Sequence, residues 1–366
     1  MKFLTKRHTA VSMVVSDRSR ADLTSWVPAI ETAEVTLMHI PDALLDPRVA
    51  AATSVVGATG LLFALRKLER QLGERTTVLM GTMSAFVFAA QMVNFPVGPG
   101  VSGHLLGGVL ASVLLGPWAG AVVIAAVLLV QCFLFADGGV TALGANFINM
   151  GLIGAIGGYL IYAPIRRAIG GQKGVLIGAM TASWFSVILA SGAFAIELGA
   201  SGHWADFFKI LSWMALVHSG IGVGEALITG LVVRFLLVRR PDLFEMTDDP
   251  TQSPSAGGRW GQTVAGGLAI ALAVAVFLSP FAYEKPDGLE FVGEKLGFLK
   301  NDSSAHASPI PAPISDYELR LPGLDHVKLA TAAAGLVGTL VVFGVACGMA
   351  RVLPRRQIEE ATSHAA

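Results

Sequence analysis

The chain alternates between long apolar blocks and short polar breaks, and the blocks have the length of membrane-crossing helices, about 17–25 residues. A first span is predicted over about 50–65, followed by Arg66, Lys67, Arg70 and Arg75. The second, about 77–95, ends in Pro96-Val97-Gly98-Pro99-Gly100, which cannot be helical and can approach a ligand closely. A third span is expected from Ser102, as its N-cap, to about Gly116, and a fourth from Ala119 to Phe135 after the turn at Pro117-Trp118. Beyond the turn Asp137-Gly138-Gly139 come a fifth (about 143–163), a sixth (about 175–196) and a seventh (about 210–238), the last stopping at Arg239-Arg240.

Threading these spans puts every basic cluster on one side, including Arg166, Arg167 and Lys173 after the fifth. Basic flanks stay cytoplasmic, so the segment ahead of the first span faces outward. A linker rich in Asp, Ser, Pro and Gly (241–261) leads to a second unit, 262–356, with spans over about 264–282 and 329–349. Between those two lies an outer loop holding Pro286-Asp287-Gly288-Leu289-Glu290. Arg351, Arg355 and Arg356 put the carboxyl end and its tail, 357–366, inside. The expected fold class is all-α: a polytopic membrane helical bundle of about seven spans plus a two-span C-terminal module.

Residues 1–37 do not fit this scheme. Lys2, Lys6, Arg7, Arg18 and Arg20 precede no signal-peptide core, and on the outer side they would run against the charge bias. The segment reads as a leader absent from the working protein, or as a start assigned too early.

Composition supports the membrane reading and narrows the chemistry. Of 366 residues 53% are hydrophobic and 14% charged, against about 25% charged in soluble domains. Net charge is zero, which offers nothing to nucleic acid. Cys132 and Cys347 both sit inside apolar runs, excluding a disulfide framework or a CxxC metal site. No GxxxxGK[ST] loop, HExxH motif or Ser-His-Asp set is present. No nucleophile-base set for an enzyme appears, and no prosthetic group is called for.

The organising stretch is Met38-His39-Ile40-Pro41-Asp42, read with Ser102-Gly103-His104. With Met38 as the first residue, its free amine, the backbone nitrogen of His39 and the His39 imidazole can wrap one metal ion in fused chelate rings. His104 then closes a four-nitrogen plane. Such a plane suits Ni(II) or Cu(II) better than zinc or magnesium. In the first turn of the third helix, His104 would meet the positive end of the helix dipole, which favours the neutral, metal-binding ring; the alternative is a histidine bonded to the outer loop. Asp42 is either an N-cap or a carboxylate on the far nitrogen of a ligand histidine. Asn146 and Asn149, at i and i+3, share a helix face and either glue helices together or orient the histidines. His218 and Glu225 share another face, as a structural pair or as metal contacts.

Several ordered motifs resemble one family: Met38 to Asp42, Ser102 to Gly108, Leu115 to Trp118, Phe135 to Gly139, Leu143 to Asn146, and Gly222 to Thr229. Over about 38–240 the chain resembles the CbiM/NikM family, the cobalt/nickel substrate-binding (S) components of energy-coupling factor transporters. The tail resembles the PDGLE-type NikN/CbiN small component, on Pro286, Asp287, Gly288, Leu289 and Glu290. The resemblance implies metal ligands at Met38, His39 and His104. It also implies partners: a transmembrane coupling (T) protein and cytoplasmic ABC ATPases. Cargo would be Ni(II) or Co(II). The other readings are a stand-alone channel or carrier using His104, His218 and Glu225 as a relay, and a membrane metal sensor.

Overall fold

The computed structural model describes residues 38–69, 73–245, 260–299, 309–319 and 326–352. The leader 1–37, most of the expected linker and the tail beyond 352 lie outside them. Among the described residues are twelve α-helical segments: α1 Pro47–Glu69, α2 Glu74–Gln91, α3 Gly108–Leu115, α4 Pro117–Val130, α5 Leu143–Phe147, α6 Gly158–Ile169, α7 Gly171–Leu198, α8 Phe207–Arg239, α9 Asp242–Glu245, α10 Trp260–Ala273, α11 Gly288–Leu296 and α12 Val327–Val352. A two-stranded antiparallel ribbon, β1 Phe95–Gly98 and β2 Val101–Gly103, stands between α2 and α3.

Helix α4 is the centre of the bundle. Its run of Ala, Gly, Val, Ile and Leu is buried almost throughout, and an all-round apolar helix belongs in a core. Helices α1 and α5 cross closely through glycines: a Cβ on Gly57 would lie 2.9 Å from the carbonyl oxygen of Gly144, the small-residue contact that membrane helices use. Between α5 and α6 the helix runs as wider turns over Ile148–Gly157. Helix α8 exposes Leu216, Val223, Leu227, Leu231 and Val238, recurring every four or seven residues. That bare apolar stripe suits hydrocarbon, not water.

Six stretches among the described residues are long and apolar enough to cross a membrane: 47–69, 117–135, 143–169, 171–239, 261–281 and 327–351. The stretch 171–239 folds as α7 and α8. The protein is a polytopic helical membrane protein. Near the end of α6, Arg166 donates to the Phe244 carbonyl (3.3 Å), and the Cys347 thiol near the end of α12 lies against the Thr77 carbonyl near the start of α2 (3.7 Å).

Two expectations fail here. The third span is not a span: α3 has eight residues, about 12 Å of helix. Ser102 lies in β2 and donates its hydroxyl to the Lys285 carbonyl (2.7 Å) instead of capping a helix. The helix starts only at Gly108, after Gly107 with φ +76°. His104 therefore sits in an extended segment, and the dipole argument for its neutrality does not apply. The second difference concerns Pro286 to Glu290, which begin a helix. Asp287 caps α11, accepting from the Glu290 nitrogen (2.8 Å) while Glu290 accepts from the Asp287 nitrogen (3.2 Å). That reciprocal capping box satisfies two otherwise orphaned donors.

The C-terminal helices pack onto the rest of the bundle. Helices α10 and α12 lie along α2, and α11 lies on α8 with the Lys295 ammonium 4.1 Å from the Trp213 ring centre.

Candidate metal centre

The first residues described thread into the bundle beside the turn that follows α4. Asn146 brackets Ile40, accepting from its nitrogen (3.0 Å) and donating to its carbonyl (3.1 Å). Asp42 accepts from the nitrogens of Val140 and Thr141 and from the Thr141 hydroxyl, so its carboxylate holds the 138–141 turn. Gly138 has φ +85°, and a Cβ there would lie 3.0 Å from that of His39. Between them these contacts press the His39 side chain inward until it is 3% exposed.

The carboxylate on His39 is that of Asp137. Its Oδ1 accepts from the ring Nδ1 (2.8 Å) and from the Met38 nitrogen (3.3 Å). One oxygen thus draws together two nitrogens of the predicted chelate. Burial opposes a charge on His39, but Asp137 outweighs it and raises the ring's pKa above the usual histidine value. Burial likewise works to raise Asp137, yet His39 and the hydrogen bonds it receives hold it below the usual carboxylate range. The His39 Nε2 is buried with no hydrogen-bond partner among the described residues.

His104 faces His39, ring centres 5.6 Å apart. Its Nδ1 lies 3.1 Å from the Leu105 carbonyl and its Nε2 3.2 Å from the Met38 carbonyl. Burial, then the neighbouring His39, lowers its pKa. A neutral ring has one N–H and can donate to only one of these carbonyls; the tautomer that donates from Nδ1 to Leu105 keeps Nε2 as the nitrogen able to bind a metal. The segment carrying His104 is braced from both sides. Glu225 accepts from the nitrogens of Leu106 (2.6 Å) and Gly107 (3.0 Å), and Gln91 donates to the Leu106 carbonyl (2.9 Å). Gln131 in turn donates to Gln91 (2.8 Å).

Met38, His39, His104, Asn146, Asn149 and His218 all line one cavity of about 80 Å³, together with Asp287, Gly288 and Leu289. Asn149 donates to Glu197 (2.9 Å). His218 donates from Nδ1 to the Met214 carbonyl (2.9 Å), and α8 carries Glu225 away from it to the main chain of 106–107. Residues 96–100 are not among the lining; the ribbon they form packs Val97 and Gly103 against α8 instead. Among the described residues no three His, Cys, Asp or Glu side chains cluster to hold a metal. A donor set built from side chains alone is not on offer; one that includes main-chain nitrogen is.

The C-terminal unit reaches this cavity at Asp287 to Leu289, and the Asp137 carboxylate at Tyr317. The segment before α11 runs along the ribbon: Tyr283 donates to the Asn94 carbonyl and Ser102 to that of Pro286. The outer oxygen of Asp287 then lies 3.8 Å from His104 Nε2, and burial pushes its carboxyl up to about 7. Gly288 fits where nothing larger does: a Cβ would lie 2.6 Å from Ile221 and 2.9 Å from His218. On the other side Tyr317 donates to Asp137 Oδ2 (2.6 Å).

Comparison with known families decides what this arrangement belongs to. Residues 39–243 match the model of CbiM, described as the cobalt uptake substrate-specific transmembrane region. The chain belongs to the CbiM family. In this CbiM-family chain residues 261–355 also match the PDGLE domain. It is 35% identical over 315 residues to the putative fused nickel transport protein NikMN of Archaeoglobus fulgidus, covering 86% of this chain and 98% of that one. It is 34% identical over 239 residues to the fused nickel transport protein NikMN of Rhodobacter capsulatus, covering 61% and 67%. A crystal structure described as that of a transition metal transporter superposes with a TM-score of 0.51 at 30% identity, over 59% of this chain and 100% of that one. As the sequence led one to expect, the chain joins a CbiM/NikM-type region to a PDGLE module. It is a membrane protein of the cobalt/nickel transport family, a transporter and not an enzyme.

Of the site residues, sequence reasoning quoted Asp137 only as part of a motif, and Tyr317 not at all. A lone carboxylate in a glycine turn at the mouth of an apolar helix was a usable signal for Asp137. Tyr317 carries none; its partner is 180 residues away.

Proposed function

We propose that this chain is the substrate-binding membrane component of an importer for Ni(II), with Co(II) as the other candidate cargo. Capture takes place from outside the inner membrane at Met38, His39 and His104. A transmembrane coupling protein and cytoplasmic ATPases supply the energy and drive release inside. The observation that carries the reading is the convergence of the Met38 nitrogen and His39 Nδ1 on one oxygen of Asp137, beside the His104 ring. A cation of the right size takes the place of that oxygen, and the two nitrogens already face it. With a residue ahead of it, the Met38 nitrogen is a peptide N–H and can only donate. As a free amine it is a ligand. The His39 amide and His104 Nε2 complete a square plane of nitrogens, which favours Ni(II) or Cu(II).

The residues of the proposed relay do not favour a stand-alone carrier, because Glu225 is committed to the main chain of Leu106 and Gly107. In the importer reading the capped start of α11, at Asp287 beside His104, helps load the ion or hold the loaded state.

The test compares Ni(II) and Co(II) binding by two purified forms, one starting at Met1 and one at Met38. The expected result is tight binding by the Met38 form alone, lost in His39→Ala and in His104→Ala. Equal tight binding by both forms would overturn the amino-terminal chelate. Uptake into proteoliposomes holding this chain without ATPases would overturn the importer assignment.

A further inference from the structure

Tyr317 reaches the metal centre from 180 residues away in the chain. It comes from the C-terminal unit, in a turn where Asp316 and Tyr317 both have positive φ (57° and 56°). L-residues rarely adopt that backbone without compensation. Here the turn is fastened at its base by a hydrogen bond from the Ile314 nitrogen to the Leu134 carbonyl (3.0 Å). The tyrosine ring lies flat on Phe135, centres 4.6 Å apart and planes 14° apart. Stacking aims the hydroxyl at Asp137 Oδ2, 2.6 Å away. The two oxygens of Asp137 are therefore divided: Oδ2 belongs to the C-terminal unit, and Oδ1 alone faces the Met38 nitrogen and His39 Nδ1.

We propose that Tyr317 is a positioning residue for metal binding, through which the PDGLE module sets the affinity of a site whose ligands all lie in the CbiM-type region. This rests on the reading of Met38, His39 and His104 as ligands. The physical reason is that a buried carboxylate with one free rotor can turn either oxygen, or neither, toward the donors. The tyrosine O–H removes that freedom. With Oδ2 fastened, the carboxylate stays beside the incoming dication as a counter-charge when Oδ1 gives up the Met38 nitrogen and His39 Nδ1 to it. Partners one bond removed from a metal ligand commonly change metal affinity by about 10–100-fold. Deleting one donor to such a partner belongs at the lower end of that range.

The experiment measures Ni(II) Kd for the purified form that starts at Met38, carrying Tyr317→Phe, Asp137→Asn, both together, or His104→Ala. Phenylalanine keeps the stack on Phe135 and removes only the hydroxyl. The expected result is a Kd about 10-fold weaker for Tyr317→Phe and no further loss when it is added to Asp137→Asn, because the hydroxyl acts through that carboxylate. An unchanged Kd, or losses that multiply in the double variant, would overturn the proposal. His104→Ala separates the two levels. If it binds Ni(II) as the parent does, the ligand assignment itself fails; if it abolishes binding while Tyr317→Phe has no effect, only the role of Tyr317 fails. A fall in thermal stability with unchanged Kd would reduce Tyr317 to a packing residue and also overturn it.

Discussion

Glu225 Oε2 lies 2.6 Å from the main-chain nitrogen of Leu106. With its other oxygen on Gly107, this fully buried carboxylate caps the two peptide groups that follow the His104 segment. A buried charge persists in a helix bundle only when such donors meet it. Its placement explains how an extended segment keeps its shape among helices.

Glu225→Gln therefore turns one acceptor into a donor facing an N–H. Leaving a buried polar group unmatched costs about 1–3 kcal/mol. The expected outcome is a lower melting temperature in detergent together with weaker Ni(II) binding, since His104 is two residues away. A melt and titration identical to those of the parent would contradict the bracing role.

Asn146 holds both the donor and the acceptor of Ile40. Asn146→Ala strands the buried Ile40 nitrogen, again at about 1–3 kcal/mol, leaves the Ile40 carbonyl with the Gly139 nitrogen alone (2.8 Å), and loosens the strand that carries His39. Faster cleavage of the amino-terminal segment by protease, with weaker metal binding, is expected. Asn146→Asp should not rescue, because a carboxylate cannot donate to the Ile40 carbonyl.

Asp137→Asn keeps the shape of the side chain on His39 and removes its charge. Metal affinity is expected to fall by about 10–100-fold. Isothermal titration with Ni(II) checks this; an unchanged Kd would show that the carboxylate is not coupled to the ligands.

Gly288→Val places carbon where Ile221 and the His218 ring already are. The start of α11 must then lift from α8, taking Asp287 away from His104. Uptake of Ni(II) is expected to fall while α1 to α8 stay folded. Cysteine crosslinking between positions 287 and 104 provides the direct measurement, and a normal crosslinking yield in the valine variant would refute the wedge.

The sequence alone determined that this is a bundle of membrane helices in two modules, because hydrocarbon forces every buried backbone group into a helix and leaves a linear signature of apolar blocks. It also singled out His39, His104, Asn146 and the capped Pro286 to Glu290 stretch, since motifs with local chemistry are visible in order along the chain. It misjudged Ser102 to Gly107: a good N-cap followed by apolar residues reads as a helix, but Ser102 pairs in a ribbon and gives its hydroxyl to Lys285, and Gly107 delays the helix. Only the tertiary structure decided that Asp137 and not Asp42 sits on His39, that Glu225 braces the His104 segment and not His218, and that Tyr317 reaches back 180 residues to Asp137. Each is a single hydrogen bond between elements distant in sequence. A buried carboxylate takes whichever donors the packing of helices brings to it, and that choice leaves no periodic trace in the chain.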